Sequence, residues 1–454
     1  MGSEPAIGGR DNEHGEQGNS SIVQEVSRRA GEYFVSERSI SSKNAIAYRA
    51  RWVVPVARPP ISGGVITVAE GRIVAVGQND SGQPPVDLGD VALLPGMVNA
   101  HTHLEFSLLE QPLGYPGIGF SEWIGAVVAW RRSATDFAQI PDRLPSSGQL
   151  SAISRGLAES RNVGVCLLGD IATSAGMEEY DACPTIAGVV FHELLSLAQE
   201  RVKPLLAMAE ARLAGHREAD SRFIIGLSPH APYTVHPELL RRACEVSVRY
   251  HSPLAMHLAE TREELQLLQT HSGPLVERLQ SLNAWHPQSL QPGLSAMDYL
   301  RSLATAHQSL VIHGNYLTAE EIAFIGANRD RMSVVYCPRT HAYFGHESYP
   351  LLQMLEAGVR VAVGTDSRAS NPDLDLFAEL RLIAAHQPTV SPDDILKMGT
   401  LWGAEALGRD RDYGSIAVGK VAALVTLPVG IPRVLDDQTL FASGISPVPL
   451  TPPE

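Results

Sequence analysis

Histidine, glutamate and aspartate recur in this sequence in short patterns whose spacing suits metal binding and proton transfer. Asn99-Ala-His101-Thr-His103 puts two imidazoles at i and i+2, on one face if the segment is a strand. Two neutral imidazoles supply half of a zinc or iron site. Met256-His257-Leu-Ala-Glu260, Ile312-His313-Gly314 and Gly364-Thr-Asp366-Ser367 each end an apolar run with a further donor. Taken singly, each has a plainer reading: His257 as a hydrogen-bonded core histidine, His313 as a turn residue, Asp366 as a helix N-cap. Together they point to a joint metal site.

Such a site needs a frame that brings distant segments to one place. From Val91 onward, short apolar runs alternate with longer helical segments. The runs at 98–101, 163–168, 186–192, 223–227, 254–257, 310–313, 333–336 and 359–363 are candidate strands, and segments such as 237–250 and 351–357 have helical periodicity. This alternation predicts an α/β chain built as a (β/α)8 barrel, with the donor patterns at the C-terminal ends of strands 1, 5, 6 and 8, where barrel active sites lie. Residues 46–95 read instead as short strands broken by Pro and Gly. The stretch from Tyr413 to Thr426 reads as a turn and strand returning to them. Residues 46–95 plus 410–435 are therefore expected to form a small discontinuous β-sandwich domain beside a barrel of residues 96–409. Residues 1–45 read as a flexible head with a short helix over 21–36, and residues 436–454 as a Pro-rich, poorly packed tail.

Composition narrows the function classes. A chain with 44% hydrophobic and 19% charged residues is globular, not wholly disordered. No run approaches the ~20 apolar residues of a membrane span, and the first residues lack a basic region followed by an apolar core. No membrane partner and a cytoplasmic location are expected. A net charge of −14 with no Lys/Arg run argues against nucleic acid. Cys166, Cys183, Cys244 and Cys337 are scattered without a C-x-x-C pair, which fits a reducing compartment and argues against a cysteine metal site.

In chain order, Pro95-Gly-Met-Val-Asn-Ala-His101-Thr-His103, Ser228-Pro-His230-Ala-Pro-Tyr-Thr234, His257-Leu-Ala-Glu260, His313-Gly and Gly364-Thr-Asp366-Ser resemble the amidohydrolase superfamily. The likeness is to its aminohydrolase branch of adenosine-type, methylthioadenosine/S-adenosylhomocysteine, aminodeoxyfutalosine and chlorotriazine enzymes, and it spans roughly residues 46–430. It implies one divalent ion, zinc before iron, held by His101, His103, His257 and Asp366. It implies Glu260, His313 and Asp366 as catalytic groups and His230 as a substrate contact. Binuclear members need a bridging carboxylated lysine, or an equivalent carboxylate, at the end of strand 4. His230 stands there, and Lys43, Lys203, Lys397 and Lys420 follow no candidate strand. The implied reaction is hydrolytic deamination of an amino-substituted heterocycle. The ion acidifies a water, Asp366 and His313 take its proton, and Glu260 protonates the ring nitrogen and then the leaving amine. The expected small-molecule substrate is an adenine nucleoside of the aminodeoxyfutalosine or methylthioadenosine kind. A chlorohydrolase or cyclic-amide hydrolase with the same site is the alternative. A non-catalytic scaffold would lack ligands that this chain keeps. A homodimer is expected by family analogy only.

Glu105 after the histidine pair, Trp123 on a helix over the mouth and Glu193 at the end of strand 3 are candidate pocket residues. Asp170, after strand 2, is a weaker candidate that reads equally well as an N-cap. Pro338-Arg339-Thr340-His341 stands where nucleoside deaminases usually show Pro-x-Ser-Asn. Arg131 or Arg132 stands where methylthioadenosine deaminases carry a ribose-binding glutamate. With Arg368 beside Asp366, these arginines point to a carboxylate on the substrate.

Overall fold

The computed structural model describes residues 21–29, 32–40, 45–78, 84–138, 151–173, 176–181, 183–215, 221–430, 437–441 and 444–451. All of the apolar runs picked out as strands are strands. β1 (Met97–Thr102), β2 (Val165–Ala172), β3 (Ala187–Leu194), β4 (Phe223–Pro229), β5 (Leu254–Leu258), β6 (Ser309–His313), β7 (Met332–Tyr336) and β8 (Val361–Val363) form one parallel 8-stranded sheet in chain order. The fold is a (β/α)8 barrel with a small extra domain.

Strands buried on both faces read as continuous apolar runs, and the pleat sorts their side chains. Val98 and Ala100 of β1, Val189 and Phe191 of β3, Ala255 of β5, Leu310 and Ile312 of β6, Val335 of β7 and Ala362 of β8 share one cluster, the barrel interior. Leu168, Leu227, Met256, Val334 and Val361 belong to the outer core with helix residues such as Leu205, Leu240 and Leu267. The inner row, followed upward, reaches Glu193 on β3 and His257 on β5. The pleat alone therefore brings these residues to the C-terminal mouth.

The ring closes between β8 and β1. Thr102 bridges Asp366 in parallel register, and the Asp366 N–H donates to the His101 carbonyl at 3.1 Å. Buried Asn99 donates from its amide to Thr365 Oγ1 at 2.8 Å and accepts from the Thr365 N–H at 3.2 Å. Gly364 permits the approach: a Cβ there would lie 2.7 Å from the His101 carbonyl oxygen and 2.8 Å from the His101 Cβ.

Two further sheets form the small extra domain. One orders Val448–Pro449, Leu424–Pro428, Val91–Pro95, Trp52–Val53 and Ile61–Ser62. The other orders Arg72–Gly77, Val65–Ala69, Ile46–Arg49 and Val86–Asp87. Leu424–Pro428 pairs antiparallel with Val91–Pro95 along its whole length. Among the described residues, no helix is long and apolar enough to cross a membrane.

Two expectations are corrected. Residues 21–36 do not form a helix: Ser21–Arg29 and Glu32–Ile40 pair as antiparallel strands. The β-branched and aromatic residues Val26, Tyr33, Phe34 and Val35, on either side of Ala30-Gly31, favour that outcome. Of the expected flexible head, residues 1–20, 30–31 and 41–44 lie outside the described residues. The C-terminal stretch is packed where it is described. Leu440 and Phe441 are buried, Phe441 lies 5.8 Å from Phe377, and Val448–Pro449 joins a sheet edge, where proline is tolerated.

The seam makes a direct prediction. Gly364→Ala should destabilise the protein by about 1–3 kcal/mol, the usual cost of overpacking, because the neighbouring atoms are backbone and cannot swing away. Urea unfolding of variant and parent checks this, and unchanged stability would contradict it.

Candidate active site

At the end of β1 the register slips against β2 between Asn99 and Thr102. Such a bulge re-aims side chains beside active sites. It leads into a short 3-10 turn, Leu104–Phe106, which follows His103. Asp170 of β2 holds that turn: its buried carboxylate accepts the Leu104 N–H at 2.8 Å and the Tyr180 hydroxyl. Asp170 thus supports the histidine pair through the turn that follows it. Burial pushes its carboxyl up to about 8, against both hydrogen bonds.

The imidazoles converge. The ring of His101 lies 4.9 Å from His103, 5.1 Å from His257 and 5.7 Å from His313. Asp366 Oδ1 is 3.5 Å from His101 Nε2 and 3.7 Å from His103 Nε2. The ligand atoms of His101, His257 and His313 lie within 4.8 Å of one another, as do those of His101, His103 and Asp366. In the pleat His313 would follow Val311 to the helix side. A left-handed backbone, φ +69°, takes it out of that alternation, and Asp366 has φ +55°. Left-handed backbone at non-glycine residues is uncommon and clusters at functional sites.

The donor set fits a divalent metal ion. His257 Nδ1 donates to the His230 carbonyl at 3.0 Å, which leaves its Nε2 with a lone pair. His101 Nε2 is buried with no hydrogen-bond partner among the described residues. Burial is the main cause that lowers the pKa of His101, His103 and His313 well below the usual imidazole value and that of His257 to about 4. Neutral imidazoles are the form that binds metal.

Glu260 follows His257 on the same loop, 3.4 Å from His313 Nε2. Burial first, then the charges of Asp366 and Glu264, raise its pKa well above the carboxylate range. This direction favours the protonated form, the one an acid catalyst needs. Its backbone is clamped by fully buried Glu264, which accepts the N–H groups of Ala259 at 3.0 Å and Glu260 at 2.8 Å. Asn315 donates to the Glu260 carbonyl at 2.9 Å. Glu264 and Asn315 escaped the sequence reading. A signal existed for the first, since Thr261-x-x-Glu264 has the capping-box pattern. Asn315 left none beyond following His313-Gly.

His230 reaches the same mouth, its ring 5.0 Å from His257 and its Nδ1 2.7 Å from Thr234 Oγ1. Glu193 Oε1 lies 4.0 Å from His230 Nε2, and Glu193 Oε2 accepts from Thr173. Glu105 accepts the Thr173 N–H at 3.0 Å and lies 3.5 Å from Arg131, whose guanidinium covers the Phe106 ring at 5.0 Å. Arg131 is near enough to His103 and His230 to disfavour their protonation. Arg132 is exposed. The Trp123 indole donates to the Ala369 carbonyl at 3.0 Å, and its ring packs on Phe120 and Phe344 at 5.8 and 5.3 Å. Arg368 corrects an expectation. Its Nε donates to the Leu109 carbonyl and its Nη1 pairs with Glu159, both at 2.7 Å. It ties loops together and is not a fork presented to a substrate carboxylate.

The (β/α)8 barrel thus gathers imidazoles and carboxylates at its C-terminal mouth. Residues 92–444 match the amidohydrolase family. A 5-methylthioadenosine/S-adenosylhomocysteine deaminase of Moorella thermoacetica is 30% identical over 414 residues, 86% of this chain and 87% of that one. Among solved structures, Helicobacter pylori aminofutalosine deaminase matches with a TM-score of 0.73 at 23% identity, over 89% of this chain and 97% of the other. A zinc-bound adenosine deaminase from Xanthomonas campestris matches with a TM-score of 0.67 at 24% identity, over 89% of each. The chain belongs to the amidohydrolase family, and it is a hydrolase of carbon–nitrogen bonds other than peptide bonds.

Glu264→Gln turns an N–H toward one of the backbone donors it must accept. The expected result is a fall in kcat of about 10- to 100-fold, the cost of an ångström-scale misplacement, with metal content unchanged. Steady-state kinetics with metal analysis check it. Parental kcat in a folded variant would contradict the positioning role.

Proposed function

We propose that this chain is a hydrolytic deaminase of an adenine nucleoside that works with one zinc ion. The observation that carries the reading is a geometric one: the buried Glu260 carboxyl lies 3.4 Å from His313 Nε2, at the edge of a cluster of imidazoles and Asp366. The activity named for the Moorella relative supports the same reaction class.

Zinc, the ion named in the Xanthomonas structure, would be held by His101, His103, His257 and Asp366. Once there it would lower the pKa of a water from ~15.7 to about 7. Asp366 keeps Oδ1 toward the histidines while its Oδ2 accepts from Ser370 at 3.2 Å. His313, neutral, takes the proton of the attacking water at Nε2. Glu260 delivers its proton to the ring nitrogen beside the amino-bearing carbon, which makes that carbon electrophilic. The new C–O bond forms, the C–N bond breaks, and a proton passes through Glu260 to the departing ammonia, leaving a lactam. Transfers of this kind are worth ~10²–10⁴ in rate. Phe120, Trp123 and Phe344 pack into an apolar wall near Tyr233, suited to a flat heterocycle. His230 and Glu193 stand on the β3–β4 side to contact the substrate. Of the arginines considered for a substrate carboxylate, Arg131 is the one near His103 and His230.

The test is ammonia release by zinc-loaded protein from adenosine, methylthioadenosine, S-adenosylhomocysteine and aminodeoxyfutalosine, with a chlorotriazine as control. Turnover of at least one nucleoside is expected. Glu260→Gln should cut kcat by about 10²–10⁴ while retaining zinc. Chloride release with no ammonia from any nucleoside, or full activity in the variant, would overturn the proposal.

A further inference from the structure

We propose that Thr340 and Ser370 are positioning residues for the metal site. Their hydroxyls form a hydrogen-bond chain that runs from the helix after β7 to Asp366 and fixes which of its carboxylate oxygens faces the ion. The proposal rests on the metal reading above for the ion, not for the geometry of the chain.

Asp366 is held at two levels. Its backbone is pinned at the seam: the N–H bonds the His101 carbonyl at 3.1 Å, and the carbonyl accepts the Thr102 hydroxyl at 3.0 Å. Those bonds leave the carboxylate free to turn about its own side-chain bonds. Oδ1 lies 3.5 Å from His101 Nε2 and 3.7 Å from His103 Nε2, while Oδ2 accepts the Ser370 hydroxyl at 3.2 Å. Ser370 Oγ in turn lies 3.0 Å from Thr340 Oγ1. Counting protons sets the direction. An ionised carboxylate only accepts and a serine hydroxyl has one proton, so Ser370 spends its proton on Asp366. Between the two hydroxyls, the donor is then Thr340.

Both hydroxyls are placed by bonds from elsewhere. Ser370 doubles back onto Asp366 through a turn in which its N–H bonds the Ser367 carbonyl at 3.1 Å and the Ala369 N–H bonds Ser367 Oγ at 3.2 Å. Thr340 stands on the helix Pro338–Phe344. Glu379 registers one against the other. One of its oxygens accepts the N–H of Arg339, beside Thr340, at 2.8 Å, and the other accepts the amide of Asn371, beside Ser370, at 2.7 Å. A single carboxylate thus clamps the neighbour of each hydroxyl. Thr340, Ser370 and Glu379 are all buried, so water does not compete for these bonds.

Two effects on metal affinity oppose each other. A donor on Oδ2 draws charge from the carboxylate, which on its own weakens its hold on a cation. The same donor keeps Oδ1 turned toward the histidines, so less side-chain freedom is lost when the ion binds. Removing a group that orients a metal ligand typically costs ~10–100-fold in affinity. Orientation therefore wins, and loss of either hydroxyl should loosen the ion.

Zinc affinity measured by competition with a chromophoric chelator tests this. Asp366→Ala is the reference and should weaken zinc binding the most. Ser370→Ala, and Thr340→Val with its kept shape and lost hydroxyl, should each weaken it about 10-fold or more. Thr340→Ser, which restores the hydroxyl, should bind zinc within about twofold of the parent. Because Thr340 acts through Ser370, adding Thr340→Val to Ser370→Ala should cost nothing further. If Ser370→Ala does not fold, the contrast between Val and Ser at position 340 decides. Unchanged or tighter binding in Thr340→Val, a Thr340→Ser variant as weak as Thr340→Val, or additive losses in the double variant would each overturn the proposal. Loss in Asp366→Ala with none in the hydroxyl variants sinks the hydrogen-bond chain alone. No loss in Asp366→Ala sinks the metal reading and the chain with it.

Discussion

The approach of β8 to β1 is the contact on which the site depends. Asn99 and Thr365 are 266 residues apart in sequence, and their paired hydrogen bonds close the barrel. The same seam sets His101 and His103 against Asp366, because the Asp366 N–H bonds the His101 carbonyl. These residues come from the first and last strands of the barrel, far apart in sequence and side by side at its C-terminal mouth. Closing so long a loop costs entropy that no local contact returns. The apolar interior of the barrel holds these side chains together in one small volume.

That volume is electrostatically costly. Burial strips water from these groups, which disfavours the charged forms of the histidines and of Glu260. Both directions suit metal binding and acid catalysis. Behind them stand further buried carboxylates on backbone donors. Asp170 holds the turn after His103, and Glu264 holds the loop of Glu260. Glu379 accepts the Arg339 N–H and the Asn371 amide, and Asn371 also donates to the Thr365 carbonyl. Burial raises the carboxyl pKa to about 8 in Asp170, about 7 in Glu264 and about 8 in Glu379. Rigid support of this kind fixes the geometry of groups whose chemistry tolerates little misplacement.

The barrel was legible because parallel strands buried on both faces leave unbroken apolar runs, and each run ended where a polar residue had to face the mouth. The convergence of His101, His103, His257, His313 and Asp366 was legible for the same reason: strand ends are where a barrel puts its chemistry. Less legible were residues whose partners lie far away in sequence. Arg368 follows Asp366 closely, yet its charge is spent on Glu159, 209 positions distant. Asp170 read equally well as a local cap because sequence shows neighbours, whereas Tyr180 and Leu104 are its partners across elements. The hairpin over Ser21–Arg29 and Glu32–Ile40 was missed because a short charged stretch fits helix and strand periods about equally until its β-branched and aromatic content is weighed.

The central claim is that the closed seam assembles one metal site from β1, β5 and β8, with His313 and Glu260 left for proton transfer. Anomalous diffraction at the zinc edge on crystals of the zinc-loaded protein tests it most directly. The account predicts a single ion bonded to His101, His103, His257 and Asp366. An ion on His101, His257 and His313 without Asp366, or a second ion in the mouth, would contradict it.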